Sequence, residues 1–211
     1  MKMKSGKFIT IEGIEGVGKS TNIAFIQSQL EAKGIKTLLT REPGGTELGE
    51  QLRNLLLHGG DVSDKAELLM MFASRAQHIE EKIKPALESG VWVICDRFTD
   101  STFAYQGGGR QLELDWIKQL ESLVHESFQP DLTLLLDAPV EVGRERACKR
   151  SAADRIEAED LAFFNRVRDM FLARSKEYDR YQVVDATQSL EQVQVDIANT
   201  LDALLKDQGI Q

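Results

Sequence analysis

Phe8-Ile9-Thr10-Ile11-Glu12-Gly13-Ile14-Glu15-Gly16-Val17-Gly18-Lys19-Ser20-Thr21 decides the fold. Phe8–Ile11 is a short apolar run suited to a buried strand. From Ser20 onward apolar residues recur three and four apart, the period of a helix. The intervening Gly13-(four residues)-Gly18-Lys19-Ser20 is the phosphate-loop pattern in its proper setting, after a strand and before a helix. Its glycines let the backbone curl so that successive N–H groups point inward at phosphate oxygens, and the helix start adds its positive end. Lys19 is placed to bridge β- and γ-phosphates, and the Ser20 hydroxyl to ligate Mg²⁺. Gly13, Ile14, Glu15, Gly16, Val17, Gly18, Lys19, Ser20 and Thr21 are therefore the expected triphosphate-binding residues.

Four more apolar runs, Thr37–Leu39, Val91–Cys95, Leu132–Leu136 and Val183–Val184, read as strands. Helical spacing runs through 20–32, 46–57, 64–89, 113–127, 139–149, 158–178 and 189–206. Pro85 is expected to kink the third of these. Alternating strands and helices predict a single α/β domain over 1–211, a doubly wound five-stranded parallel sheet of the P-loop kind. Ligands of such sheets gather outside the carboxyl ends of the strands. There the sequence puts the phosphate loop, then Arg41-Glu42-Pro43-Gly44-Gly45-Thr46, Asp96-Arg97-Phe98, Asp137-Ala138-Pro139 and Asp185-Ala186-Thr187.

A net charge of −8 counts against a nucleic-acid partner, because duplex-binding proteins present a basic face. No run of about 18 apolar residues is present, so neither a spanning helix nor a membrane partner is expected. Polar Met1–Lys7 leads straight into a strand and leaves no room for a secretory signal. Cys95 ends an apolar run and reads as core, Cys148 lies beside basic residues, and the two lack metal-ligand spacing. A reducing cytoplasm fits them. His58, His78 and His125 are scattered and read as surface or packing residues.

Neither Asn-Lys-x-Asp, which reads guanine, nor the Asp-x-x-Gly switch occurs. Arginines at strand ends and the basic stretch Arg144–Arg155 suit a kinase that brings two polyanions together, where cations must neutralise both. Glu15 is out of keeping in a phosphate cradle. A carboxylate about 4 Å from a phosphate costs on the order of 4 kcal/mol at an effective dielectric of about 20. It must point out of the cradle or have another partner, such as a sugar hydroxyl of the second substrate.

Together these stretches resemble the bacterial thymidylate kinases from Phe8 to about Leu190. The resemblance rests on Glu12–Thr21, Thr40-Arg41-Glu42-Pro43-Gly44-Gly45-Thr46, Met71-Phe72-Ala73-Ser74-Arg75 and Asp96-Arg97-Phe98. It also rests on Ser101-Thr102-Phe103-Ala104-Tyr105-Gln106-Gly107 and Asp154-Arg155-Ile156-Glu157. It implies transfer of the γ-phosphoryl group of ATP to dTMP, giving ADP and dTDP for dTTP biosynthesis, with Mg²⁺ and as a homodimer through the long helices near 64–89. Another nucleoside monophosphate or deoxynucleoside kinase, or a P-loop protein that switches a partner, are the competing readings.

The resemblance also implies roles. Glu15 would reach the 3′-hydroxyl of the acceptor, and Arg97 would clamp its phosphate and the transferring group. Asp96 would hold Mg²⁺ with Ser20 or else partner Arg97 alone. Arg41, Pro43 and Arg53 would line the acceptor site, with Ser101, Tyr105 and Gln106 against thymine and sugar. Tyr105 would disfavour a ribose 2′-hydroxyl. Arg75 and Phe72 sit three apart on a helix and can share a pocket, the ring stacking on thymine and the guanidinium bonding its carbonyl edge. The family more often has Phe where this chain has Met71, so either Phe72 stacks or Met71 packs there. Lys19 and Arg97 are the expected catalytic cations. Members carry a further arginine in the P-loop or in the lid, here about 149–157. With Gly16 in the loop the charge must come from the lid, from Arg155 first and Arg150 second.

Overall fold

The computed structural model describes residues 5–148 and 155–207. The strands are β1 (Phe8–Glu12), β2 (Thr37–Arg41), β3 (Trp92–Asp96), β4 (Leu132–Asp137) and β5 (Tyr181–Asp185). They form one parallel sheet in the order β2-β3-β1-β4-β5. The expected five-stranded parallel architecture is the one observed. Each strand runs past its apolar stretch to a charged residue, because ladder pairing involves the backbone and tolerates Glu12, Arg41, Asp96, Asp137 and Asp185 at the ends. Registers Ile11↔Asp96 and Arg41↔Asp96 bring three strand ends level. β3 and β4 flank β1 on opposite sides, so the connections diverge above it.

The helices are α1 (Lys19–Ala32), α2 (Glu47–His58), α3 (Asp64–His78), α4 (Lys84–Glu88), α5 (Thr99–Thr102), α6 (Leu114–His125), α7 (Val140–Cys148), α8 (Leu161–Ser175) and α9 (Leu190–Asp207). Side-chain caps set four starts. Thr46 accepts from Gly49 N at 3.0 Å, Ser63 from Ala66 N at 3.4 Å, Asp160 from Phe163 N at 2.7 Å and, for α9, Ser189 from Gln192 N at 3.3 Å. The Asp160 cap is why α8 opens at Leu161 rather than at the expected 158. Alternation along β1 serves both faces of the sheet. Ile9 and Ile11 join a core with Ile23, Ile26 and Leu30 of α1, while Phe8 packs with Ile79, Ile83 and Leu87. Cys95 is buried as expected, and the side chain of Cys148 lies outside the described residues.

Two expectations need correction. Pro85 does not simply kink a continuous α-helix. A π-helical stretch, Ile79–Ile83, lies between α3 and α4 and leaves Pro85, which lacks an N–H, in the first turn of α4. Residues 99–109, for which no helix was expected, form α5 and a π-helical turn, Phe103–Gly109. Gly107-Gly108-Gly109 reads locally as a helix breaker. A Cβ on Gly108 would crowd the Arg166 carbonyl of α8, and one on Gly109 would meet the Phe163 ring. These glycines permit a close helix–helix approach.

Candidate active site

The phosphate loop curls through left-handed glycines, φ +131° at Gly13, +77° at Gly16 and +93° at Gly18. The Lys19 ammonium folds back over it, donating to the carbonyls of Gly13 at 3.0 Å and Ile14 at 2.9 Å. Burial, with repulsion from Arg97, lowers Lys19 to about 8. Gly16 abuts α7, where a Cβ would collide with the Gly143 carbonyl, and a Cβ on Gly143 would press on the Glu15 carbonyl in return. The loop has no room for a side chain at position 16.

Beside the loop opens a cavity of about 380 Å³. It gathers Glu15, Gly16, Gly18, Lys19 and Ser20 from the loop, Arg41 and Pro43 from the end of β2, and Arg53 from α2. Arg75 of α3 lines it, as do Asp96, Arg97, Ser101, Tyr105 and Gln106 after β3. Arg97 sits at the junction with φ +69°, unusual for a non-glycine residue. It donates to Glu15 at 2.7 Å, to Gly13 O at 2.9 Å and to Ser101 Oγ at 3.1 Å, and it lies over the Tyr105 ring. The Tyr105 hydroxyl also donates to Glu15 at 2.7 Å. The anomalous carboxylate thus points out of the cradle, toward the cavity beside it, with two partners. Arg53 donates to Pro43 O at 2.9 Å, and Arg41 pairs with Glu50 at 2.9 Å. Oδ1 of Asp96 is buried without a hydrogen-bond partner beside Lys19 and Ser20, as a group awaiting a cation would be.

At the far end Arg75 is almost wholly buried. Its Nε donates to Glu42 at 2.7 Å and one Nη to Thr102 at 2.9 Å, while Nη1 has no partner. Its charge lies over the rings of Phe72 and Phe98. Gln106 donates its amide to buried Glu67 at 2.8 Å. A carboxylate only accepts here, so the amide nitrogen faces Glu67 and the carbonyl oxygen is the atom left for a ligand. The chamber therefore offers a donor from Arg75 and an acceptor from Gln106.

The family model for thymidylate kinase matches residues 11–197. The chain belongs to the thymidylate kinase family. It is 55% identical over 206 residues to the thymidylate kinase of Hahella chejuensis, covering 96% of this chain and 99% of that one. With the thymidylate kinase of Methylococcus capsulatus it shares 52% over 204 residues, covering 96% and 98%. The crystal structure of thymidylate kinase from Ehrlichia chaffeensis superposes with a TM-score of 0.78 at 35% identity, covering 94% of this chain and 99% of that one.

Two expected residues stand elsewhere in this thymidylate kinase. Met71, four residues before Arg75, shares its face and lines the chamber, whereas Phe72 is turned into a cluster with Leu68, Phe103 and Ile117 beneath the guanidinium. Arg155 does not reach the chamber. It donates to Leu56 O at 2.9 Å and pairs with Glu67, while its neighbours Ile156 and Glu157 line the wall. Arg150 lies outside the described residues. Of the loop, Gly13, Ile14, Val17 and Thr21 do not line the chamber, and Gly13 and Ile14 act through the carbonyls that hold Lys19.

Several residues were not singled out from sequence. Glu42 links Arg75 to His78, whose Nδ1 lies 2.9 Å from Glu42 Oε1 and whose Nε2 lies 2.6 Å from Thr40 Oγ1. His78 is thus a buried relay rather than filler. Glu12, fully buried at the end of β1, accepts from Phe98 N at 2.7 Å and from Ser101 Oγ at 2.6 Å. Burial and nearby Asp100 raise it to about 8. An acid closing an apolar strand was its signal, and a glycine inside a helical pattern was the signal for Gly143.

Proposed function

We propose that this chain transfers the γ-phosphoryl group of ATP to dTMP, with Mg²⁺, and acts as a cytoplasmic homodimer. The observation that carries the acceptor assignment is the pairing of Arg75 Nη1, a buried donor without a partner, with the Gln106 carbonyl in a chamber beside the phosphate loop. A pyrimidine with a carbonyl next to a ring N–H satisfies both. Cytosine offers an acceptor nitrogen and an amino group in those places and satisfies neither.

An oxygen of the dTMP phosphate attacks the γ-phosphorus as the bond to the β,γ-bridging oxygen breaks, and ADP leaves with that electron pair. Lys19 and Arg97 neutralise charge on the oxygens, and positioning carries the rate. Glu15, held by Arg97 and Tyr105, receives the 3′-hydroxyl, and Tyr105 crowds a 2′-hydroxyl. Arg41, Pro43, Arg53 and Ser101 complete the acceptor wall. Ser20 and Asp96 would hold Mg²⁺, which would screen phosphate charge. No cluster of three or more acidic, His or Cys ligands exists among the described residues, which fits an ion that takes most ligands from phosphate and water. The lid supplies the remaining cation. With Arg155 engaged by Glu67 and Leu56, Arg150 is favoured over it.

Exposed Leu69 on α3, with Trp116 and Leu123 on neighbouring α6, supports a dimer through these helices. No helix among the described residues is long and apolar enough to cross a membrane. The test is ADP release from Mg·ATP with dTMP, dUMP, UMP, dCMP and dGMP offered separately. Strong stimulation by dTMP supports the reading, and a flat response sinks it. A protein that only switches a partner would hydrolyse ATP slowly whichever nucleotide is added. Sedimentation at micromolar concentration tests the dimer.

A further inference from the structure

Glu67 sits in the first turn of α3 with its carboxylate nearly sealed from solvent. Three donors converge on it from two parts of the chain. Gln106 Nε2 approaches at 2.8 Å and Arg110 at 3.4 Å, both from the turn that follows α5, and Arg155 comes from the root of the lid. Arg110 also pairs with Glu159, and Arg144 of α7 donates to the Glu159 carbonyl at 3.3 Å. Burial alone would raise the Glu67 carboxyl, but the bonds from Gln106 and Arg155 and the charges of both arginines keep it below the ordinary range.

We propose that Glu67 is a positioning residue that ties the seating of the turn at Arg155–Glu159 to base reading. One carboxylate fixes which way the Gln106 amide faces and also holds Arg155, whose neighbours Ile156 and Glu157 form part of the chamber wall. A base that engages the Gln106 carbonyl orders the amide on Glu67, and through it the turn that sets Ile156 and Glu157 in the chamber wall. Arg155 is then an anchor whose loss opens the site to water. This inference rests on the reading of the chain as a dTMP kinase.

The test is the ratio of ADP formed to dTDP formed, read with kcat and with KM for dTMP. Glu67→Gln keeps an oxygen for Gln106 but turns a donor toward Arg155. It should lower kcat about tenfold, raise KM for dTMP only about two- to threefold, and let ADP exceed dTDP. Arg155→Met, a change at the rim, should do the same if Glu67→Gln proves too unstable to assay. The double variant should be no worse than the poorer single one, and Glu67→Asp, which retains the charge, should recover part of the coupling. An unchanged ratio and kcat in a folded Glu67→Gln or Arg155→Met protein overturns the inference, as does additivity in the double variant. If the unaltered protein forms no dTDP at all, the function reading itself fails.

Discussion

Arg75 and Glu42 form an ion pair at 2.7 Å in which both side chains are at most 3% exposed. The same carboxylate takes His78 on its other oxygen, so Arg75 is aimed by a chain that begins at Thr40 at the end of β2. Burial works against the Glu42 charge, yet Arg75 and His78 hold its carboxyl below the ordinary range. Glu42→Gln removes the counter-charge from a buried guanidinium at little change in volume. Losing one member of a buried pair costs about 3–5 kcal/mol, and the retained amide contacts should keep the loss near the lower end. KM for dTMP should rise about tenfold or more, because Nη1 is no longer aimed. Urea melts and steady-state kinetics check both, and an unchanged KM in a folded variant would remove Glu42 from the base-reading machinery.

ATP binding should depend on pH through Lys19. In the free protein its ammonium is lowered to about 8, so above that pH it is largely neutral. Triphosphate brought against it favours the charged form, and binding there must take up a proton. Affinity for ATP should be flat below pH 8 and fall by up to about tenfold per pH unit above it. Calorimetric titrations in buffers of different ionisation enthalpy read the proton directly. No uptake at about pH 9 would mean that Lys19 is already charged throughout.

Much of this was legible in the sequence, for local reasons. The five strands, the phosphate loop and the charged strand ends announce themselves through short apolar runs and turn chemistry. The failures share a tertiary cause. Glu67 looks like a solvent-facing acid near a helix start, where the helix dipole favours one, and nothing local reveals three donors arriving from residues 106, 110 and 155. Met71 and Phe72 both fit a pocket-facing helix, and the rotation is decided by Leu68, Phe103 and Ile117 behind it. Residues 107–109 look like a breaker until α8 lies against them. Arg155 reads as a free lid cation until Glu67 is seen beneath it.

The contact between Gly16 and Gly143 gives a third prediction. Gly143 is buried mid-helix in α7, and a Cβ there would come within 2.5 Å of the Glu15 carbonyl, a backbone atom with little freedom to yield. Gly143→Ala should displace the phosphate loop, raising KM for ATP about tenfold while costing roughly 1–3 kcal/mol in stability, as overpacking does. The same contact means that Gly16→Arg, which places the arginine in the loop, cannot compensate for a lid variant. Normal KM for ATP in Gly143→Ala would show that the loop yields more easily than its packing implies.

His125 and Glu12 should oppose one another in the pH dependence of stability. His125 closes α6 against Phe98, with Nε2 at 2.8 Å from Thr99 Oγ1, and burial together with Arg75 lowers it from 6.5 to about 3. Between those values the unfolded chain binds a proton that the folded one refuses, so this group removes stability as pH falls from 6.5. Glu12 behaves the other way. Raised from 4.5 to about 8, it keeps its proton in the folded state while the unfolded chain has lost it, so stability drains as pH rises through that window. Where the windows overlap, from about pH 5 to 6.5, the slopes of about 1.4 kcal/mol per pH unit cancel, and ΔG of unfolding should be nearly flat. Above pH 6.5 only Glu12 remains, and stability should fall toward pH 8. His125→Phe keeps an aromatic ring beside Phe98 and cannot titrate. Its stability should therefore rise steadily as pH is lowered from 8 to about 5. Urea melts across that range decide the matter, since a variant curve parallel to the unaltered one would mean that His125 takes up its proton in the folded state as well.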